Sequence, residues 1–103
     1  MKYGLSDNAI EKIKRVFRNN PNINEAIIFG SRALGNYREG SDIDITLKGN
    51  LTFDSLLRIE SELDNEMLPY KFDLSLFENI NNLELIEHVN RVGKIFYRKN
   101  SRD

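Results

Sequence analysis

The chain has 103 residues, 40% of them hydrophobic, which suits one modest core; a single domain spanning 1–103, with no segment left for a second lobe, is the expectation. Its formal charge of −1, from 15 Lys and Arg against 16 Asp and Glu, argues against a polynucleotide substrate held by long-range attraction. With no cysteine and one histidine, disulfides, thiolate metal sites and a zinc site made by this chain alone are excluded, so any metal must take oxygen ligands.

A first helix is expected from Ser6 or Asp7, either of which can cap it, to about Arg18, because Ala9, Ile10, Ile13, Val16 and Phe17 form one apolar stripe. Asn19-Asn20-Pro21 stops it. Glu25 to Phe29 reads as a short strand with a nearly unbroken apolar run, and it leads directly into Gly30-Ser31. Glycine at a strand's end lets the backbone approach a phosphate and serine adds a hydroxyl. Ser31-Arg32-Ala33-Leu34 can begin a short helix whose free N–H groups attract anions.

Asp42 to Lys48 alternates as a strand does, with Ile43, Ile45 and Leu47 on one face and Asp42, Asp44 and Thr46 on the other. Aspartate is disfavoured in strands, and carboxylates at i and i+2 repel, so the pattern asks for a counter-charge. A divalent cation is the simplest one, since Mg²⁺ is usually held by one or two carboxylates completed by substrate phosphates and water.

Gly49-Asn50 then turns the chain into a helix from about Phe53 to Met67, closed by Pro69, with Phe53, Leu56, Leu57, Leu63 and Met67 expected to face inward. Tyr70 to Phe77 alternates again and puts Asp73 on a polar face. If this strand lies beside Asp42–Lys48, three carboxylates converge on one edge of a sheet, about 5 Å apart across neighbouring strands, where they can hold two metal ions. Leu83 to Val92 reads as a third long helix ending at Gly93, and Lys94 to Arg98 as a last short strand. The expected class is α/β (α+β): a small mixed sheet with helices on one face and the carboxylate-bearing edge open.

Phe29-Gly30-Ser31-Arg32-Ala33 with Gly35, then Gly40-Ser41-Asp42-Ile43-Asp44 and the later strand aspartate Asp73, resembles the DNA polymerase beta superfamily of nucleotidyltransferases. Within it the chain looks like the minimal nucleotidyltransferase (MNT) antitoxins of HEPN/MNT toxin–antitoxin pairs. The segments Asp73–Phe77 and Leu85–Gly93 are similar to the end of small MNT proteins, so the resemblance runs nearly the whole length. It implies a polymerase beta-like fold, ATP as substrate, and Asp42, Asp44 and Asp73 as catalytic residues holding two Mg²⁺ ions. Gly30 and Ser31 would hold the β- and γ-phosphates. The implied partner is a cognate HEPN ribonuclease toxin, in a hetero-oligomer, whose tyrosine hydroxyl receives AMP. Two other readings stay open: an antitoxin that neutralises by binding only, and a small-molecule transferase resembling the aminoglycoside-modifying enzymes, which would need a partner or a second copy to form its acceptor pocket.

Among the basic residues near the motif, Arg32 is the first choice for reaching the triphosphate, ahead of Arg38, Lys48 and Lys71. Tyr37, between the two halves of the motif, is the aromatic best placed to touch nucleotide or acceptor. His88 has no second base or nucleophile nearby and reads as a satisfied surface residue. Lys12, Lys14, Arg15 and Arg18, and Arg98, Lys99 and Arg102, read as a solvated helix face and a tail rather than an RNA site. The N-terminus lacks the apolar core of a signal peptide, and no apolar run approaches the roughly 20 residues that span a bilayer. A cytoplasmic protein with no membrane contact and no direct nucleic-acid binding is expected.

Overall fold

Helix α1 (Asp7–Arg18) opens at Ser6, whose hydroxyl oxygen accepts the Ala9 N–H at 3.1 Å, which decides between the two candidate caps. Its stripe of Ala9, Ile13, Val16 and Phe17 is buried as its spacing demands. The computed structural model describes residues 2–99, so Arg102 of the basic tail lies outside the described residues. After α1 come β1 (Ile23–Phe29), α2 (Gly30–Leu34), β2 (Ile43–Gly49), α3 (Phe53–Asp64), β3 (Phe72–Leu76), a 3₁₀ turn (Phe77–Asn79), α4 (Leu83–Val92) and β4 (Lys94–Arg98). β1 starts earlier than Glu25 because its ladder with β2 extends to the pair Ile23 and Gly49, past an irregularity in register.

The strands lie in the order β3-β2-β1-β4, with β2 and β3 parallel and the other pairs antiparallel, so the expected mixed sheet is present. Register divides the residues between two faces. Ala26 and Ile28 of β1, Ile43, Ile45 and Leu47 of β2, and Leu74 and Leu76 of β3 share the face that meets Ile13, Val16 and Phe17 of α1 and Ile59 and Leu63 of α3. This is the main core. The expected one-face arrangement holds for α1 and α3, whereas α4 packs on the opposite face, where Val89 and Leu85 meet Ile27 and Phe29. The apolar run at the end of β1 is the reason, since a strand apolar on both faces must be covered on both. α4 covers only part of that second face and leaves Asp44 half-buried and Asp73 exposed.

α3 corrects the sequence expectation. Phe53, Leu57 and Met67 are 65%, 48% and 86% exposed, and the buried stripe is instead Ser55, Ile59 and Leu63. These three follow the i, i+4, i+8 spacing of one helix face, and at 100° per residue Phe53 and Leu57 fall on the other side. The helix also stops at Asp64, and Met67 lies beyond it with φ of 57°. At its start, Thr52 and Ser55 form a reciprocal capping box.

Candidate active site

Asp44 sits within β2 between two register neighbours, Phe29 of β1 and Asp73 of β3. Directly opposed residues on adjacent strands project from the same face, so the two carboxylates stand side by side, as the sequence pattern anticipated. Asp42 lies just before the first residue of β2 and is exposed. Gly30 closes the arrangement from the other side: it has φ of +71°, and a Cβ built on it would overlap the Asp44 carboxylate. Glycine is therefore required there twice, for the left-handed backbone and for the space that Asp44 occupies. Ser31 follows in the first turn of α2, half-buried.

The carboxyl of Asp44 is raised above its ordinary value, first by burial and then by the charges of Asp73 and Asp42, with the Arg32 guanidinium opposing them. Negative charge is thus held at this point against both desolvation and repulsion, which is the environment a cation would relieve. The expected convergence of all three carboxylates is not formed, because Asp42 lies just outside β2: among the described residues, no group of three or more His, Asp or Glu side chains comes close enough to hold a metal ion by itself. The aspartates still fit a hard cation, because Mg²⁺ needs only one or two carboxylates when phosphates complete its shell.

Arg32 takes a place that its sequence position did not reveal. Its guanidinium is buried, with 4% of the residue exposed, and it donates from Nε and Nη2 to the Ser41 carbonyl at 3.1 and 2.8 Å and from Nη1 to the Tyr3 carbonyl at 2.8 Å. The rings of Tyr37 and Tyr70 each lie 5.4 Å from it. Arg32 thereby fastens the loop that carries the chain from α2 to Asp42, and its positive charge acts on Asp44. Tyr37 remains 39% exposed at the rim of a cleft that Gly4, Arg32, Arg38 and Tyr70 also line.

His88 is the functional candidate that sequence reasoning passed over. Rather than a surface residue, it is half-buried, with Nε2 accepting the Gly30 N–H at 3.2 Å and its ring edge-on to Phe29. A signal was available: Leu85, His88 and Val89 share i, i+3, i+4 spacing, which puts the histidine beside the buried face of α4.

The family model described as Polymerase beta, Nucleotidyltransferase matches residues 11–102. The chain belongs to the polymerase beta nucleotidyltransferase family. Among solved structures, this family member is similar to a toxin–antitoxin with AMP-PNP, at TM-score 0.71 and 23% identity over 90% of this chain and 76% of that one. It is also similar to the MntA–HepT toxin–antitoxin, at TM-score 0.67 and 21% identity over 95% of this chain and 77% of that one. A third likeness is to a tri-AMPylated Shewanella oneidensis HEPN toxin in complex with MNT antitoxin, at TM-score 0.67 and 20% identity over 92% of this chain and 74% of that one. These likenesses establish the polymerase beta-like fold. No curated protein matches the chain. Among the described residues, no helix of this nucleotidyltransferase is long and apolar enough to cross a membrane.

Proposed function

We propose that this nucleotidyltransferase transfers AMP from ATP to a tyrosine hydroxyl of a cognate HEPN ribonuclease toxin, and so acts as its antitoxin in the cytoplasm. The observation that carries the chemistry is the pairing of Asp44 with Asp73 on one sheet face beside Gly30. The acceptor and partner are supported by the family match and by the fold shared with toxin–antitoxin complexes, one holding AMP-PNP and one a tri-AMPylated toxin.

Ser31 offers its hydroxyl, and the first turn of α2 its N–H groups from Ser31 onward, to the β- and γ-phosphates, while Gly30, lacking a Cβ, lets them approach Asp44. Asp42, Asp44 and Asp73 would hold Mg²⁺, which when bound neutralises the triphosphate and favours departure of pyrophosphate. Asp73, exposed and nearest the open edge, orients the acceptor hydroxyl and accepts its proton. The acceptor oxygen then forms a bond to the α-phosphorus as the bond from that phosphorus to the bridging oxygen breaks, and pyrophosphate leaves. A partner protein supplies the acceptor surface.

The test mixes the protein, Mg²⁺ and α-labelled ATP with the product of the adjacent gene, beside an Asp42→Asn/Asp44→Asn control, and follows label and intact mass. One or more AMP units on the partner, absent in the control, is the expected result. A stable complex that never acquires label would leave neutralisation by binding as the function, and label on small alcohols or aminoglycosides alone would point to a small-molecule transferase.

A further inference from the structure

Gly30 is the residue at which β1 becomes α2, and its N–H is the first of the unsatisfied helix-start donors. In this structure that donor faces the protein: it meets the Nε2 of His88, from a helix far along the chain, at 3.2 Å. Nε2 accepts through its lone pair, so in this contact the ring hydrogen sits on Nδ1. The ring and the helix that bears it are each held in place. Phe29, the residue before Gly30, packs edge-on against it with centroids 6.1 Å apart, and Val89, the next residue of α4, is buried against Ile27 and Phe29. Asn82 caps the start of α4, so the helix bearing His88 is fixed at its N-terminus as well.

The consequence concerns which groups meet a triphosphate. With its N–H turned to His88, Gly30 contributes space and backbone shape, and the donors left for phosphate oxygens begin at Ser31. Resting on the nucleotidyl-transfer reading above, we propose that His88 is a positioning residue of the phosphate loop: its Nε2 locks the Gly30 peptide so that Ser31 faces the triphosphate and the Asp44 carboxylate keeps its place beside Gly30. His88 touches neither substrate nor metal and acts through Gly30 alone.

The test compares wild type, His88→Phe and His88→Gln. Phenylalanine keeps a ring against Phe29 but has no acceptor, whereas the glutamine oxygen can accept the same N–H. Titration with AMP-PNP and Mg²⁺ should show His88→Phe binding about five- to tenfold more weakly, the scale of one lost hydrogen bond, with His88→Gln within about twofold of wild type. Amide exchange of the nucleotide-free wild type should show Gly30 protected, a readout that needs no variant to fold. Equal binding by all three proteins, equal weakening in both variants, or an unprotected Gly30 amide would overturn the proposal. Failure of the wild type to bind any triphosphate would instead overturn the nucleotidyl-transfer reading, and the positioning role with it.

Discussion

Replacing Gly30 by alanine separates two demands that the site makes on one residue, provided Gly35→Ala is measured beside it. Both glycines have positive φ, +71° at Gly30 and +91° at Gly35, and a residue with a Cβ in the left-handed region costs about 1–2 kcal/mol. At Gly35 nothing lies within 4 Å of the added Cβ, so backbone strain is the whole effect. At Gly30 the same Cβ overlaps the Asp44 carboxylate oxygen and lies 3.2 Å from its Cγ, so Asp44 must also rotate. An off-rotamer side chain adds about 0.5–1.5 kcal/mol. At about 4–8 °C per kcal/mol for a domain near this size, Gly35→Ala should melt roughly 4–16 °C below wild type and Gly30→Ala several degrees lower still. Circular dichroism melts measure this, and titration with AMP-PNP and Mg²⁺ measures the site. Gly35→Ala should bind nearly as wild type, whereas Gly30→Ala, with Asp44 displaced, should lose most of its affinity. Indistinguishable melts and affinities in the two variants would refute the placement of Asp44 against Gly30.

Asp44→Asn should abolish transfer yet stabilise the protein. Because the folded-state pKa of Asp44 is raised by burial, Asp73 and Asp42, the native state binds this proton more tightly than the unfolded chain does. The stability this group contributes is therefore full below the unfolded value of 3.8 and is lost as pH rises through the folded one, so the variant should melt above wild type at neutral pH and the gap should close toward acid. A gap that widens on acidification would contradict the sign. Arg32→Lys, which keeps the charge but loses the planar fork serving Ser41 and Tyr3, should cost about 1–3 kcal/mol in urea unfolding. No loss would mean that the loop is held elsewhere. On α3, Ile59→Ala should cost about 2–4 kcal/mol and Phe53→Ser should stay within about 0.5 kcal/mol, a contrast that denaturant midpoints would reverse if Phe53 faced the core.

Local chemistry sufficed for much of this molecule. The period-two alternation of Ile43, Ile45 and Leu47 against Asp44 and Thr46 set the strand and its faces, because successive side chains on a strand must point opposite ways. A helix start at Ser6 or Asp7 and the stripe of α1, the helix Leu83–Val92 and the strand Lys94–Arg98 were readable for the same reason: their signals lie within a few residues of the structure they specify. Gly30-Ser31 followed by Asp42-x-Asp44 marked the candidate site, since those are the residue types that phosphate and cation chemistry would use.

Tertiary structure decided what depends on distant partners. Only the parallel pairing of β2 with β3 sets Asp73 beside Asp44, and no local pattern selects one strand's neighbour. α3 carries apolar residues on two faces, and the sheet buried Ile59 and Leu63 while leaving Phe53 and Leu57 in solvent, because one helix can dock only one face. Arg32 looked free to reach a phosphate until the carbonyls of Tyr3 and Ser41 converged on it. His88 gained a role only when α4 crossed the face that β1 shares with Asp44 and brought a ring nitrogen to the Gly30 N–H, a contact whose two halves are strangers in sequence.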